Sequence, residues 1–227
     1  MMNEFFDKVY VVTCENFRER HDYIKKHFAA RRVDFEFVIS LDKSCFQDTP
    51  TLSSSERSAV YGHSYCLRQA RLSGYERILI CEDDVAFVED LDARLEQFIG
   101  VIPDDWHYLQ LGNQFWASDW IKRDKLADNL YRFRWGTGCH CVAVRNSIFD
   151  LSIARFNLFD HAADLIYYNL FYKLNCYCPE EFLADALSSN AHLSYSDNKH
   201  IFESRIHHAR VLTPTSVEES VRSQSNS

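Results

Sequence analysis

An apolar run that stops at three acids, Ile78-Leu79-Ile80-Cys81-Glu82-Asp83-Asp84, constrains this chain more than any other stretch. A short continuous apolar run flanked by polar residues reads as a strand buried on both faces, the pattern of a sheet covered by helices on either side. The end of such a strand is a rim. In open α/β sheets ligands bind in the crevice beyond the carboxyl ends of the strands, and three carboxylates crowded there repel one another unless a cation or a hydrogen-bond network neutralises them. Two readings follow. One is an oxygen-rich site for Mg²⁺, Mn²⁺ or Ca²⁺ that grips a phosphate; the other is a solvated acidic turn.

The rest of the chain supplies the sheet. Lys8 to Thr13 and Phe35 to Ile39 read as strands, with Asn16 and Glu19 predicting a capping box for the helix between them. Ser53 and Glu56 form a second capping box; the helix it opens runs to a stop at Gly74, with Val60, His63, Leu67 and Ala70 on one face. Asp90 opens a helix that ends before Pro103, His107 to Leu111 and Cys139 to Val144 read as strands, and Asn146 to Ile153 and Ala162 to Lys173 read as helices. The polar stretch from Asn113 to Leu130, which carries Trp116 and Trp120, is a long functional loop, an insertion or a set of short helices. This alternation predicts a single α/β domain over residues 1–211, with a mostly parallel sheet covered on both faces. The Ser-, Thr- and Glu-rich residues 212–227 read as a polar disordered tail.

Composition excludes several classes. A formal charge of -8 argues against a nucleic-acid surface, and no apolar stretch reaches the roughly 18 residues of a membrane span. The N-terminus lacks a basic region leading into an apolar one, so the expectation is a soluble, cytoplasmic protein. Eight cysteines without a secretory signal point to reduced thiols. The pairs Cys139/Cys141 and Cys176/Cys178 have one intervening residue, short of usual zinc spacing, and on a strand each pair would share one face with His140 opposite.

In order along the chain, Arg18-Glu19-Arg20, Asp42, Glu56 with His63, Leu79 to Val85, Asp105-Trp106 through Gly112, Thr137 to Val144, Asp164-Leu165-Ile166, and the closing Pro179, Leu183 and Ser196-Asp197 resemble glycosyltransferase family 25. That group contains lipooligosaccharide and collagen-hydroxylysine galactosyltransferases. The resemblance covers roughly residues 6 to 198. It implies a GT-A-type fold, a divalent metal (Mn²⁺, or Mg²⁺), a UDP-sugar donor and inversion at the anomeric carbon. Galactose or glucose is the hexose it suggests, and a glycan, lipid-linked saccharide or hydroxylysine the acceptor. The chain departs from the pattern at Thr13 (Asn in the family), Lys43 (Gly), Gly62 (Ser) and His107 (Asp).

On this basis Glu82, Asp84 and His192 are the candidate metal ligands. Thr13, Arg18, Arg20, Asp42, His63 and Asp83 are assigned to the donor, with the arginines at the diphosphate and Asp42 at uracil or ribose. Asp164 is the candidate base for the acceptor hydroxyl, with Asp160 as the alternative, and Asp164 also reads as a surface acid at a helix start. Three other readings compete. A response-regulator receiver needs a later strand ending in Asp, but the next strand ends Leu109-Gln110-Leu111-Gly112; a haloacid-dehalogenase phosphatase continues Gly-Thr, but Val85-Ala86 follow. A non-catalytic binding or scaffolding module on the same fold is the third.

Overall fold

In the computed structural model, residues 1–113, 122–136 and 138–187 are described. The domain boundary at 211, the polar tail, His192, Trp116 and Trp120 all lie outside them. The elements in chain order are α1 Met2–Phe5, β1 Lys8–Cys14, α2 Arg18–Ala29, β2 Glu36–Ser40, α3 Ser54–Ser73, β3 Arg77–Glu82, β4 Val85–Phe87 and α4 Leu91–Ile99. There follow β5 Tyr108–Gln110, β6 Lys122–Ala127, β7 Leu130–Trp135, β8 Cys141–Arg145, α5 Phe149–Phe156, α6 Ala163–Phe171, β9 Cys176–Cys178 and β10 Ala184–Ala186.

Eight strands form the main sheet in the order β2-β1-β3-β8-β5-β9-β7-β6. The strand β1 pairs in parallel with β2 and with β3, and β5 with β9, whereas β8 is antiparallel to both its neighbours and β7 to both of its own. Six strands therefore run one way and two, β7 and β8, run against them. Each pleated strand feeds two cores, because successive side chains point to opposite faces. Val9, Val11, Leu79 and Cys81 pack with Ile24, Phe28, Leu95 and Phe98 from α2 and α4. Tyr10, Val12, Ile78 and Ile80 pack with Leu67, Phe156, Ile166 and Tyr167 from α3, α5 and α6.

Local chemistry sets the helix ends. Ser53 and Glu56 close the expected capping box, with the Ser53 N–H donating to Glu56 Oε2 at 2.8 Å, and Gly74 ends α3 in the left-handed region at φ 70°. The predicted box at Asn16 and Glu19 does not form. The chain turns directly out of β1 through a Phe17 N–H to Cys14 C=O bond, so Phe17 is the N-cap and Glu19 falls at the second helical position instead of the third.

The stretch read as a loop, insertion or short helices holds the first strand and the turn of a hairpin, β6–β7, turned at Asn129 with φ 55°. Its outer strand, Lys-Arg-Asp-Lys-Leu-Ala, is an almost wholly exposed edge, so no apolar alternation marked it; charged edge strands of this kind resist further pairing. A second small sheet pairs β4 with β10, and the Leu187 N–H donates to the Asp84 C=O. It holds the turn that follows β3.

Candidate active site

Because Ile78 and Ile80 face α3 while Leu79 and Cys81 face α2, the alternation carries Glu82 to the α3 side and the next acid to the other. The contacts follow that division. The acidic strand end is two half-sites back to back.

On the α2 side, Asp83 is buried and held by two donors. Thr13 Oγ1 donates to Oδ2 at 2.5 Å and the Arg20 guanidinium to Oδ1 at 2.6 Å. His21 Nε2 lies 3.1 Å from the Cys14 carbonyl and 3.0 Å from Thr13 Oγ1. A carbonyl only accepts, so Nε2 carries the proton, and the order His21 to Thr13 to Asp83 is fixed. Burial works against the Arg20 charge, but the Asp83 bond and the charges of Asp83, Asp84 and Glu82 outweigh it and raise its pKa. Arg20 also stands 3.9 Å from Asp84 Oδ2. Glu19, Arg20, Tyr23, Asp83, Asp84 and Leu187 line a cleft of about 190 Å³.

On the α3 side, Glu82 Oε1 faces His63 Nε2 at 3.5 Å and Cys139 Sγ at 3.3 Å. His63 is fully buried, stacked on Phe156 and edge-on to Tyr167. Burial pushes the Glu82 carboxyl up, but His63, then His140 and Cys139, pull it below the ordinary range. Beside this group, Asp164 on the first turn of α6 accepts from Gly138 N–H at 3.1 Å and Leu165 N–H at 2.8 Å. Burial raises its carboxyl despite those bonds, and the Glu82 charge adds to the rise.

The remaining sequence candidates sit apart from these clusters. Arg18 is exposed on the first turn of α2, and Asp42 caps the short turn Lys43–Cys45, accepting from Ser44 N–H at 2.9 Å. Asp160 meets His161 at 2.9 Å and Arg155 at 3.7 Å. His107 accepts the Asn175 N–H on Nδ1 and helps join β5 to β9.

Sequence reasoning set Cys139 aside on its spacing and missed His21. It placed Cys139 and Cys141 on one face, but they fall in opposite cores because regular strand geometry starts only at Cys141. Gly138, at φ 89°, was the available signal that the chain is not yet extended there. His140 is buried against Gly112, where a Cβ would come within 2.5 Å of its Nε2. His21 follows β1 by one turn of α2, and nothing in its spacing pointed at Thr13.

A twisted α/β sheet whose parallel strands end in an acidic turn, with a reversed strand beside β3, is a GT-A-type fold. The chain is similar to the crystal structure of a glycosyltransferase involved in the glycosylation of the major capsid of PBCV-1, with TM-score 0.51 and 10% identity over 86% of this chain and 98% of that one. Weaker likenesses include a Drosophila β1,4-galactosyltransferase 7 mutant in complex with manganese, UDP-Gal and xylobiose (TM-score 0.45, 11% identity, 82% and 72% covered). Another is UDP-glucose pyrophosphorylase complexed with UDP-glucose (TM-score 0.44, 12% identity, 77% and 73% covered). No protein-family profile and no curated protein matches the sequence. No helix among the described residues is long and apolar enough to cross a membrane.

Proposed function

We propose that the protein is a metal-dependent glycosyltransferase that moves a hexose, galactose or glucose, from a UDP-sugar to an acceptor hydroxyl with inversion. One observation carries the reading: within a GT-A-type fold, β3 delivers Glu82, Asp83 and Asp84 to the carboxyl edge of the sheet beside a cleft. The fold likeness to a glycosyltransferase supports it, as does the ordered resemblance to family 25.

The residues fit a divalent cation. Asp84 and Glu82 flank Asp83 at the end of β3 and are of the carboxylate type that Mn²⁺ or Mg²⁺ prefers. We assign the metal to Glu82 and Asp84; the expectation of His192 as a further ligand falls outside the described residues. Bound there, the cation neutralises the negative charge that builds on the departing diphosphate. Arg20 lines the cleft and adds positive charge for the same phosphates, and we assign Arg18, exposed two residues earlier at the helix start, to the diphosphate as well. Thr13 and His21 hold Asp83 still, so that its carboxylate edge orients the ribose or a bound water. We assign Asp42, two residues past the end of β2, to the uracil or ribose, and His63 stands beside Glu82 on its α3 side.

Asp164 is the base for the acceptor hydroxyl. Its raised pKa suits proton abstraction better than an ordinary carboxylate, and the two backbone donors keep its oxygens in place. The acceptor is a glycan, a lipid-linked saccharide or a hydroxylysine side chain.

Calorimetric titration of UDP with Mn²⁺ and with chelator, on the wild type and on Asp84→Ala, tests the reading. Metal is expected to tighten binding by about tenfold or more, equivalent to about 1.4 kcal/mol, and Asp84→Ala to erase that gain. A UDP-hexose panel then identifies the donor by turnover. Equal affinity with metal and chelator, in folded protein, refutes metal dependence; metal-dependent binding without turnover on any UDP-hexose favours the binding-module alternative.

A further inference from the structure

The described residues bring together one group of three His, Cys, Asp or Glu side chains with ligand atoms close enough to share a metal ion, and of the acidic turn it takes only Glu82. His63 from the middle of α3, Glu82 from the end of β3 and Cys139 from the lead into β8 place one nitrogen, one oxygen and one sulfur within 4.8 Å of one another. Tetrahedral zinc, with bonds of about 2.0–2.1 Å to N and O and about 2.3 Å to S, requires donor separations of about 3.3–3.6 Å. The observed 3.5 Å from His63 Nε2 to Glu82 Oε1 and 3.3 Å from Cys139 Sγ to the same oxygen lie in that range.

The second observation is the histidine. His63 is fully buried and neither ring nitrogen has a well-formed hydrogen bond among the described residues, Nε2 standing at the 3.5 Å limit from Glu82 Oε1. Buried polar groups are hydrogen-bonded with few exceptions, and an exception calls for an account. A neutral imidazole, a thiolate and a carboxylate sum to two negative charges, so a dication leaves the buried group neutral. The mixed nitrogen, sulfur and oxygen set disfavours Mg²⁺ and Ca²⁺ and suits zinc-class ions.

We infer that His63, Glu82 and Cys139 form a three-ligand site for a zinc-class divalent ion on the α3 side of the sheet. Glu82 is 31% exposed while His63 is sealed, and no fourth His, Cys, Asp or Glu ligand joins them among the described residues, so the remaining position lies on the Glu82 side. Three protein ligands from the described residues leave the fourth position to solvent or a ligand oxygen. Binding releases the Cys139 thiol proton to solvent as the sulfur–metal bond forms. The inference goes beyond the donor-site reading: it uses Glu82 Oε1 and leaves Asp84 and the second Glu82 oxygen at the turn.

The test is titration of Co²⁺ into the full-length, reduced, chelator-treated protein. The expected result is a thiolate-to-cobalt charge-transfer band that saturates at one equivalent, with intense visible bands of four-coordinate cobalt. Cys139→Ser abolishes the charge-transfer band, and His63→Gln weakens binding and shifts the visible bands. Both Asp84→Asn and the Cys14→Ser/Cys45→Ser double variant, which removes the two cysteines outside the core, retain the band. No charge-transfer band in the wild type, or its survival in Cys139→Ser, overturns the site. Should Cys139→Ser not fold, X-ray absorption of the zinc-loaded wild type decides: one sulfur with nitrogen and oxygen neighbours is required, and zero or several sulfurs refute it. The cobalt band is read without nucleotide, so a failed UDP titration leaves this result standing and the reverse also holds.

Discussion

Thr13→Val tests the link between the ends of β1 and β3. Valine keeps the branched shape and strand preference of threonine but removes the hydroxyl. In the wild type that hydroxyl donates to the buried Asp83 carboxylate at 2.5 Å and accepts from His21 Nε2, which retains the Cys14 carbonyl if Thr13 is lost. The loss is therefore one hydrogen bond to a charged group, about 1.5–3 kcal/mol, with no cavity to add. For a chain of this size about 2 kcal/mol corresponds to a Tm lower by about 4–8 °C. Urea denaturation at pH 7 should show a lower midpoint at unchanged slope, since the surface exposed on unfolding does not change. Thr13→Ser, which restores the donor, should lie within about 1 kcal/mol of wild type. The double variant Thr13→Val/Asp83→Asn should lose less than the sum of the singles, because each removes the same bond. Thr13→Val at wild-type stability, or Thr13→Ser as damaging as Thr13→Val, refutes the account of Asp83 as a carboxylate held by Thr13.

Two further outcomes concern pH. His27 accepts the Phe87 N–H at 2.9 Å, and burial, with the Arg31 charge, lowers its pKa to about 4. The unfolded state then takes up the proton first as pH falls, so this stabilisation is complete above about pH 6.5 and is lost toward pH 4. The shift amounts to about 3 kcal/mol before solvent screening and on the order of 2 after it; the stability difference between wild type and His27→Gln, measured by denaturation from pH 7.5 to 5, should shrink accordingly, and a constant difference counts against the assignment. Asp164 has the opposite sign: its raised pKa makes the folded state hold the proton more tightly, so wild type gains on Asp164→Asn as pH falls through that pKa and loses the gain above it. Transfer by Asp164→Asn should fall about 10²-fold or more at every pH, and a variant that keeps wild-type turnover removes Asp164 from the role of base.

Much of the frame was legible before any coordinates. The two capping residues Ser53 and Glu56, the stop at Gly74 and the apolar strand into Glu82 all formed as read, because each depends on residues within a turn or a pleat of one another. The capping box at Asn16 failed for the same kind of reason, since a tight turn out of β1 moved the helix start by one residue. The hairpin β6–β7 and the three-residue strands β4, β9 and β10 were not legible. An exposed edge strand has no buried face to impose a period of two, and three residues are too few to show one.

The sequence by itself determined that three acids stand at the end of a strand buried on both faces, since apolar run and acidic turn are covalent neighbours. Only the tertiary structure decided how those acids are divided. Asp83 is neutralised by Thr13 and Arg20, which lie 70 and 63 residues away, and Glu82 is turned toward Cys139, 57 residues away, and His63. Which carboxylate meets a cation, a hydroxyl or a thiol depends on which helix covers each face of β3. That choice is made by packing across the sheet, and no pattern local to the acidic turn encodes it.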